Sequence, residues 1–131
     1  MIDSRLRSLA GSHGMGAISF GTFQLLLPGV FGRLFAFPGR YDRRVIWLIR
    51  MLGLRDILLG VGIVSSAGER YGSYAPWMLA RALSDGADAV GVGLTVARGT
   101  RHPRFVFLNV LAVLSALYGA LLFLGAQRSG R

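Results

Sequence analysis

The chain has 131 residues, 53% of them hydrophobic and 16% charged, and its formal net charge of +9 comes from 15 basic residues, all arginine. It contains no cysteine, which excludes a disulfide framework, a thiolate metal site and a cysteine nucleophile. The arginines gather at the ends of apolar runs rather than along a basic stripe with interleaved aromatics, which argues against nucleic acid and for the flanks of membrane spans.

Residues 1–12 are short and polar, with Arg5 and Arg7. The apolar run that follows is broken by Pro28-Gly29, a dipeptide that favours a turn. This predicts a first helix over 13–27 and a short, aromatic-rich interfacial piece over 30–37. A signal peptide is disfavoured, because Gln24 interrupts the apolar part and no small-x-small cleavage site follows. A polar turn over 38–44 leads to a second helix over 45–66, and another over 67–73 leads to a third over 74–97. Pro76 falls in the first turn of that third helix, where its missing N–H costs little. After a third turn over 98–104, an uncharged fourth helix covers 105–126.

Each of the last three predicted helices is about as long as the roughly 20 apolar residues a bilayer core requires. The first is shorter and needs tilt, or the 30–37 piece, to complete a crossing. A soluble four-helix bundle would require polar outer faces, yet 105–126 offers only Asn109, Ser115 and Tyr118. The expected fold is therefore all-α: residues 1–131 form one domain, a four-helix transmembrane bundle of up-down topology with short polar turns. The expected location is a cell membrane crossed several times, with the lipid bilayer as partner. Small residues recur four apart at Ala17 and Gly21, at Ala89, Gly93 and Ala97, and at Ala112, Ala116 and Ala120, which suits tight helix packing.

Six charges inside the apolar stretches carry the most information: Arg50, Arg55 and Asp56 in the second helix, Arg81, Asp85 and Asp88 in the third. Charges at such depth are normally paired, inward-facing and functional. At about 100° per residue, Arg81, Asp85 and Asp88 share an arc of about 60°. Trp77 and Thr95 lie close to it, and Leu79, Leu83, Val90 and Leu94 lie opposite. The 67–73 turn makes the two helices antiparallel neighbours and brings Arg55 to the depth of Asp85, so Arg55 is expected to meet Asp85 or Asp88. Asp56 faces another helix or binds Arg81. Arg50 points elsewhere and is placed to snorkel to the headgroups.

This cluster is either an ion-pair staple that fixes helix register or a polar cavity for a ligand or proton. Gln24, Asn109 and Tyr118 are single polar groups that make interhelical bonds or join Trp77 and Thr95 in lining a site. His13 and His102 flank helices and are read as interfacial. No metal-ligand spacing, cofactor motif, phosphate loop or nucleophile elbow is present, so no catalytic residue, metal or cofactor is assigned.

The string Leu52-Gly53-Leu54-Arg55-Asp56-Ile57-Leu58-Leu59-Gly60, followed by Trp77, Arg81, Asp85 and Asp88, resembles a bacterial domain-of-unknown-function family of small four-helix integral membrane proteins. The likeness covers about residues 14–125. A more distant likeness, resting on architecture alone, is to DoxX-type membrane proteins. The resemblance implies an integral membrane protein with a paired arginine–aspartate core, and no catalytic role transfers with it. Three functional expectations follow. The first is a non-enzymatic protein acting by assembly with itself or a membrane partner. The second is a small-molecule or proton-coupled carrier using Asp85 and Asp88, which at this length would have to dimerise. The third is a DoxX-like oxidoreductase accessory. For orientation, Arg33, Arg40, Arg43, Arg44, Arg98, Arg101 and Arg104 outnumber Arg5, Arg7, Arg70, Arg128 and Arg131, which favours the 38–44 and 98–104 turns in the cytoplasm.

Overall fold

The computed structural model describes residues 2–37, 41–68 and 73–129, and the side chains of all of these except residues 2 and 3. Arg40, Arg70 and Arg131 of the charge count lie outside the described residues. The fold is all-α, with five helices among the described residues: α1 (Ile2–Leu26), α2 (Pro28–Leu34), α3 (Arg43–Gly68), α4 (Ala75–Ala97) and α5 (Pro103–Ser129).

The first helix starts at Ile2 rather than at residue 13. The reason is a buried stripe that continues N-terminally, with Ala10, Gly14, Ala17, Gly21 and Gln24 recurring at alternating steps of four and three. Leu6 extends the same stripe and packs on a cluster of Ala10, Ile63, Tyr74, Met78 and Leu122. Such a heptad spacing marks the contact face of a helix even where its residues are small. α3 carries the matching stripe Ile49, Gly53, Asp56, Gly60 and Ile63. The two stripes run antiparallel, with Gly14 against Gly60 and Gly21 against Gly53. A Cβ on Gly60 would lie 2.6 Å from the Gly14 carbonyl oxygen, and one on Gly14 would lie 2.9 Å from the Gly60 carbonyl oxygen. Only glycine permits this backbone approach, because the obstacle is main chain and cannot swing away.

α4 and α5 form the second antiparallel pair, with Ala82 against Gly119 and Asn109 near Gly93. α1 and α5 touch through Leu6 on Gly125 and through His13, whose ring meets Tyr118 edge-on at 5.2 Å between centroids. The backbones of α3 and α4 stay further apart than those within either pair. Long side chains span that gap, with the Trp77 ring lying on Gly62.

α2 turns away from α1 by 107° at Leu27. Pro28 opens it, and Phe31, with Phe35 just past its end, packs on Phe20 and Phe23 at centroid separations of 5.4–6.0 Å, the Phe31 and Phe35 rings lying 4.8 Å apart. Phe37 meets Phe105 of α5 edge-on at 5.8 Å. These rings, with Ile49, close one end of the space between the helix pairs, and the Ile63–Met78–Leu122 cluster closes the other. Asp42 begins α3 as its N-cap: its Oδ1 accepts the N–H groups of Arg44 and Val45 at 3.0 Å each.

Among the described residues one helix, α5 over Pro103–Arg128, is long and apolar enough to cross a membrane, and α1 with α2 together pass the same test as one bent span. α3 and α4 each carry three charges within otherwise apolar stretches. Their exposed surfaces are nonetheless apolar: Leu83 is 66% exposed and Val90 63%, against 6% for Arg81 and 3% for Asp85 on the same helix.

Candidate functional site

The charges inside α3 and α4 converge. Asp56 sits in the glycine seam of α1 and α3, its Cβ against Gly21, where small neighbours leave room for a carboxylate. Its Oδ1 accepts Nη1 of Arg81 at 2.9 Å, and Nη2 and Nε of Arg55 at 2.9 and 3.3 Å. Arg55 turns its other edge to Asp88 in a two-point pairing, Nη1 to Oδ1 at 3.0 Å and Nη2 to Oδ2 at 2.6 Å. Such a fork holds a planar carboxylate in orientation as well as position. Of the two partners expected for Arg55, the structure thus supplies Asp88.

Arg81 also lies 2.9 Å from Asp85 through Nε, one helical turn along α4. That contact is an ion pair without hydrogen-bond alignment, since Nε makes no hydrogen bond among the described residues. Asp85 is held instead by Ser115 of α5, whose hydroxyl donates to Oδ2. The network therefore ties three helices: α3 to α4 through both arginines, and α4 to α5 through Ser115. Arg81, Asp56 and Asp85 are buried, and Arg55 and Asp88 are about one-third exposed.

Arg50 takes no part in this network. It lies over the ring of Trp47, 5.9 Å from its centroid, on another side of α3. Trp77, read as lining, is spent on Gly62 at the α3–α4 seam. Asn109 donates to the Ala89 carbonyl at 3.2 Å and so bonds α5 to α4 rather than lining a site. Thr95, Gln24 and Tyr118 do line the cavity described next.

Between the two helix pairs lies a cavity of about 730 Å³, and Asp56, Arg81, Asp85 and Asp88 form part of its wall. Most of the remaining wall is apolar, including Phe20, Phe31, Phe37, Phe105 and Leu108. Two residues without a separate signal in the sequence complete it. Ser115 is on the α5 face that repeats as Phe105, Leu108, Ala112, Ser115, Gly119 and Leu122, so the heptad would have pointed it inward. His13, expected to flank a helix, sits mid-helix because α1 begins at Ile2, and it lines the cavity. Its Nε2 is buried without a hydrogen-bond partner among the described residues, and so is Oε1 of Gln24, which is only 4% exposed. Buried polar atoms normally find partners, so two on one cavity wall mark it as a place where something else completes the bonding. No three His, Asp or Glu side chains converge as a metal cage among the described residues.

Comparison of the chain with protein-family models, with curated proteins and with solved structures finds no match in any of the three.

Proposed function

We propose that this chain is a small integral membrane protein, a four-helix bundle in which α1, α3, α4 and α5 each cross the bilayer, and that it binds an amphipathic small molecule in the cavity between its helix pairs. The inside-out distribution of polarity supports the membrane placement. Leucine, valine and phenylalanine cover the outer faces, and the charges of α3 and α4 point inward except for Arg43 and Arg44 in the first turn of α3 and Arg50 beside Trp47. Exposed apolar surface on this scale marks a face that water does not solvate. α3 and α4 differ from ordinary spans only in the charges that build the network, and those charges satisfy one another within the protein. α2 then serves as a bent segment that tucks its phenylalanines under the helix ends, with the aromatic-rich composition suited to an interface.

The observation that carries the binding reading is the cavity itself, apolar on most of its wall with a small convergent set of polar groups. That is the usual make-up of a small-molecule site. A register staple needs the arginine–aspartate pairs but not the unfilled space beside them, nor the unpartnered atoms of Gln24 and His13. Among the expectations above, the cavity therefore favours small-molecule binding over assembly through the charged core.

Native mass spectrometry of the detergent-released protein tests this reading. A small molecule should be retained by the wild type and lost from Ala112→Phe, which places a ring into the cavity. A protein that survives extraction folded, yet retains nothing and takes up nothing from a membrane lipid extract, would overturn it. Resistance to alkaline carbonate extraction tests the membrane placement separately.

A further inference from the structure

We infer that the cavity takes a singly charged organic cation with an aromatic or alkyl body, its N–H groups seated against Asp56, Asp85 and Gln24. This rests on the interior-binding reading above and names the ligand class.

The first ground is charge. The six intramembrane charges of α3 and α4 cancel only while Arg50 is counted. The structure removes it to the Trp47 ring, and two arginines then face three aspartates, which leaves −1 with His13 neutral. An uncompensated carboxylate in a low-dielectric interior is costly unless it takes up a proton or a positive group joins it.

The second ground is vacant acceptor capacity. Asp56 uses only Oδ1 for its three hydrogen bonds, and Asp85 uses only Oδ2 for Ser115. Asp56 Oδ2 and Asp85 Oδ1 accept no hydrogen bond among the described residues. Gln24 adds a third acceptor in Oε1, buried and unpartnered on the same wall. Gln24 and Asp56 are close, since both pack around the facing pair Gly21 and Gly53. A group that supplies several N–H donors and one positive charge meets all three acceptors; an anion or a neutral hydrocarbon meets none.

The third ground is the rest of the wall. Phe20, Phe31, Phe105 and Tyr118 line it, and ring faces attract cations while their bodies accept apolar groups. The cavity volume of about 730 Å³ accommodates a compound far larger than a bare ammonium ion.

The test compares 2-naphthylethylammonium with its neutral N-acetyl derivative by titration calorimetry into nanodiscs holding the protein, with empty nanodiscs as background. The amine is expected to bind at least about tenfold more tightly than the amide, a difference of the size a single desolvated charge contact supplies. Asp85→Asn should weaken the amine by a similar factor, Gln24→Leu severalfold, and Arg50→Gln not at all. The comparison of amine with amide uses only wild-type protein, so it stands even where Asp85→Asn fails to fold. Equal binding of amine and amide would overturn the cation class while leaving interior binding intact. A folded Asp85→Asn protein with unchanged amine affinity would remove the site from this carboxylate cluster. If neither compound binds above background, both this inference and the binding reading fall.

Discussion

Replacing Arg55 with leucine gives the most direct measure of what the charged seam contributes. Arg55 is the hydrogen-bonding partner of Asp88 through both carboxylate oxygens, so Arg55→Leu strands that carboxylate. Asp56, by contrast, keeps Arg81 at 2.9 Å. Breaking a fully buried pair costs about 3–5 kcal/mol; with both side chains about one-third exposed, the loss here should be nearer 2–3 kcal/mol. Asp88→Leu should cost less, about 1 kcal/mol, since the freed guanidinium still bonds Asp56. In the double variant no charge is stranded at this position, and the total loss should be about 1–1.5 kcal/mol rather than the sum of the singles. The interaction energy of the cycle is then roughly 2 kcal/mol. Reversible unfolding from mixed micelles by increasing SDS, followed through the fluorescence of Trp47 and Trp77, measures all four proteins on one scale. Losses that add to within about 0.5 kcal/mol would refute the pairing and with it the account of how α3 is joined to α4.

The glycine seam makes a second, steric test: Gly60→Val should cost at least about 1–3 kcal/mol by forcing α1 and α3 apart, because its obstacle is the Gly14 carbonyl. Gly86→Ala, with nothing within 4 Å of the added carbon, should be neutral or stabilising by up to about 1 kcal/mol in the same unfolding assay. Phe31→Ala should cost about 3–5 kcal/mol by removing a ring only 2% exposed from under the cavity. It should also speed thiol labelling of a single cysteine placed at Ala17 in the naturally cysteine-free chain; an unchanged labelling rate would show that α2 does not close that end. A periplasm-active phosphatase fused after Arg128 should be active and a cytoplasm-dependent fluorescent fusion at the same point dark; the reverse would invert the orientation drawn from the arginine count.

The places where the sequence could be read ahead share one physical cause. α3, α4 and α5 announce themselves through long apolar runs bounded by polar turns, and the arc of Arg81, Asp85 and Asp88 follows from helical geometry alone. The start of α1 did not, because its contact face is built from Ala10, Gly14 and Ala17, which carry little hydrophobic signal. The heptad spacing of those small residues was the available clue, and missing it misplaced His13 at a helix end. Arg50 and Trp77 share the helices of the cluster, so only their contacts with Trp47 and Gly62 show that both are engaged elsewhere. A polar cavity was one of two readings of the charged cluster, but its size and largely apolar wall were not legible, because a void arises from how two helix pairs fail to meet, and no single residue encodes it.

The two kinds of contact in this molecule differ in how they tolerate separation. α1 and α3 are joined main chain to main chain, where a gap of about 0.5–1 Å already forfeits roughly a quarter to a half of each contact. α3 and α4 are joined at arm's length by the guanidinium groups of Arg55 and Arg81, on stems with several rotatable bonds. An arginine head can follow a retreating carboxylate over a distance at which a glycine seam would already have let go. Under the proposed binding reading, a guest lodged between the helix pairs displaces these flexible heads first, so its size is expected to show in the rotamers of Arg55 and Arg81 before it shows in any helix.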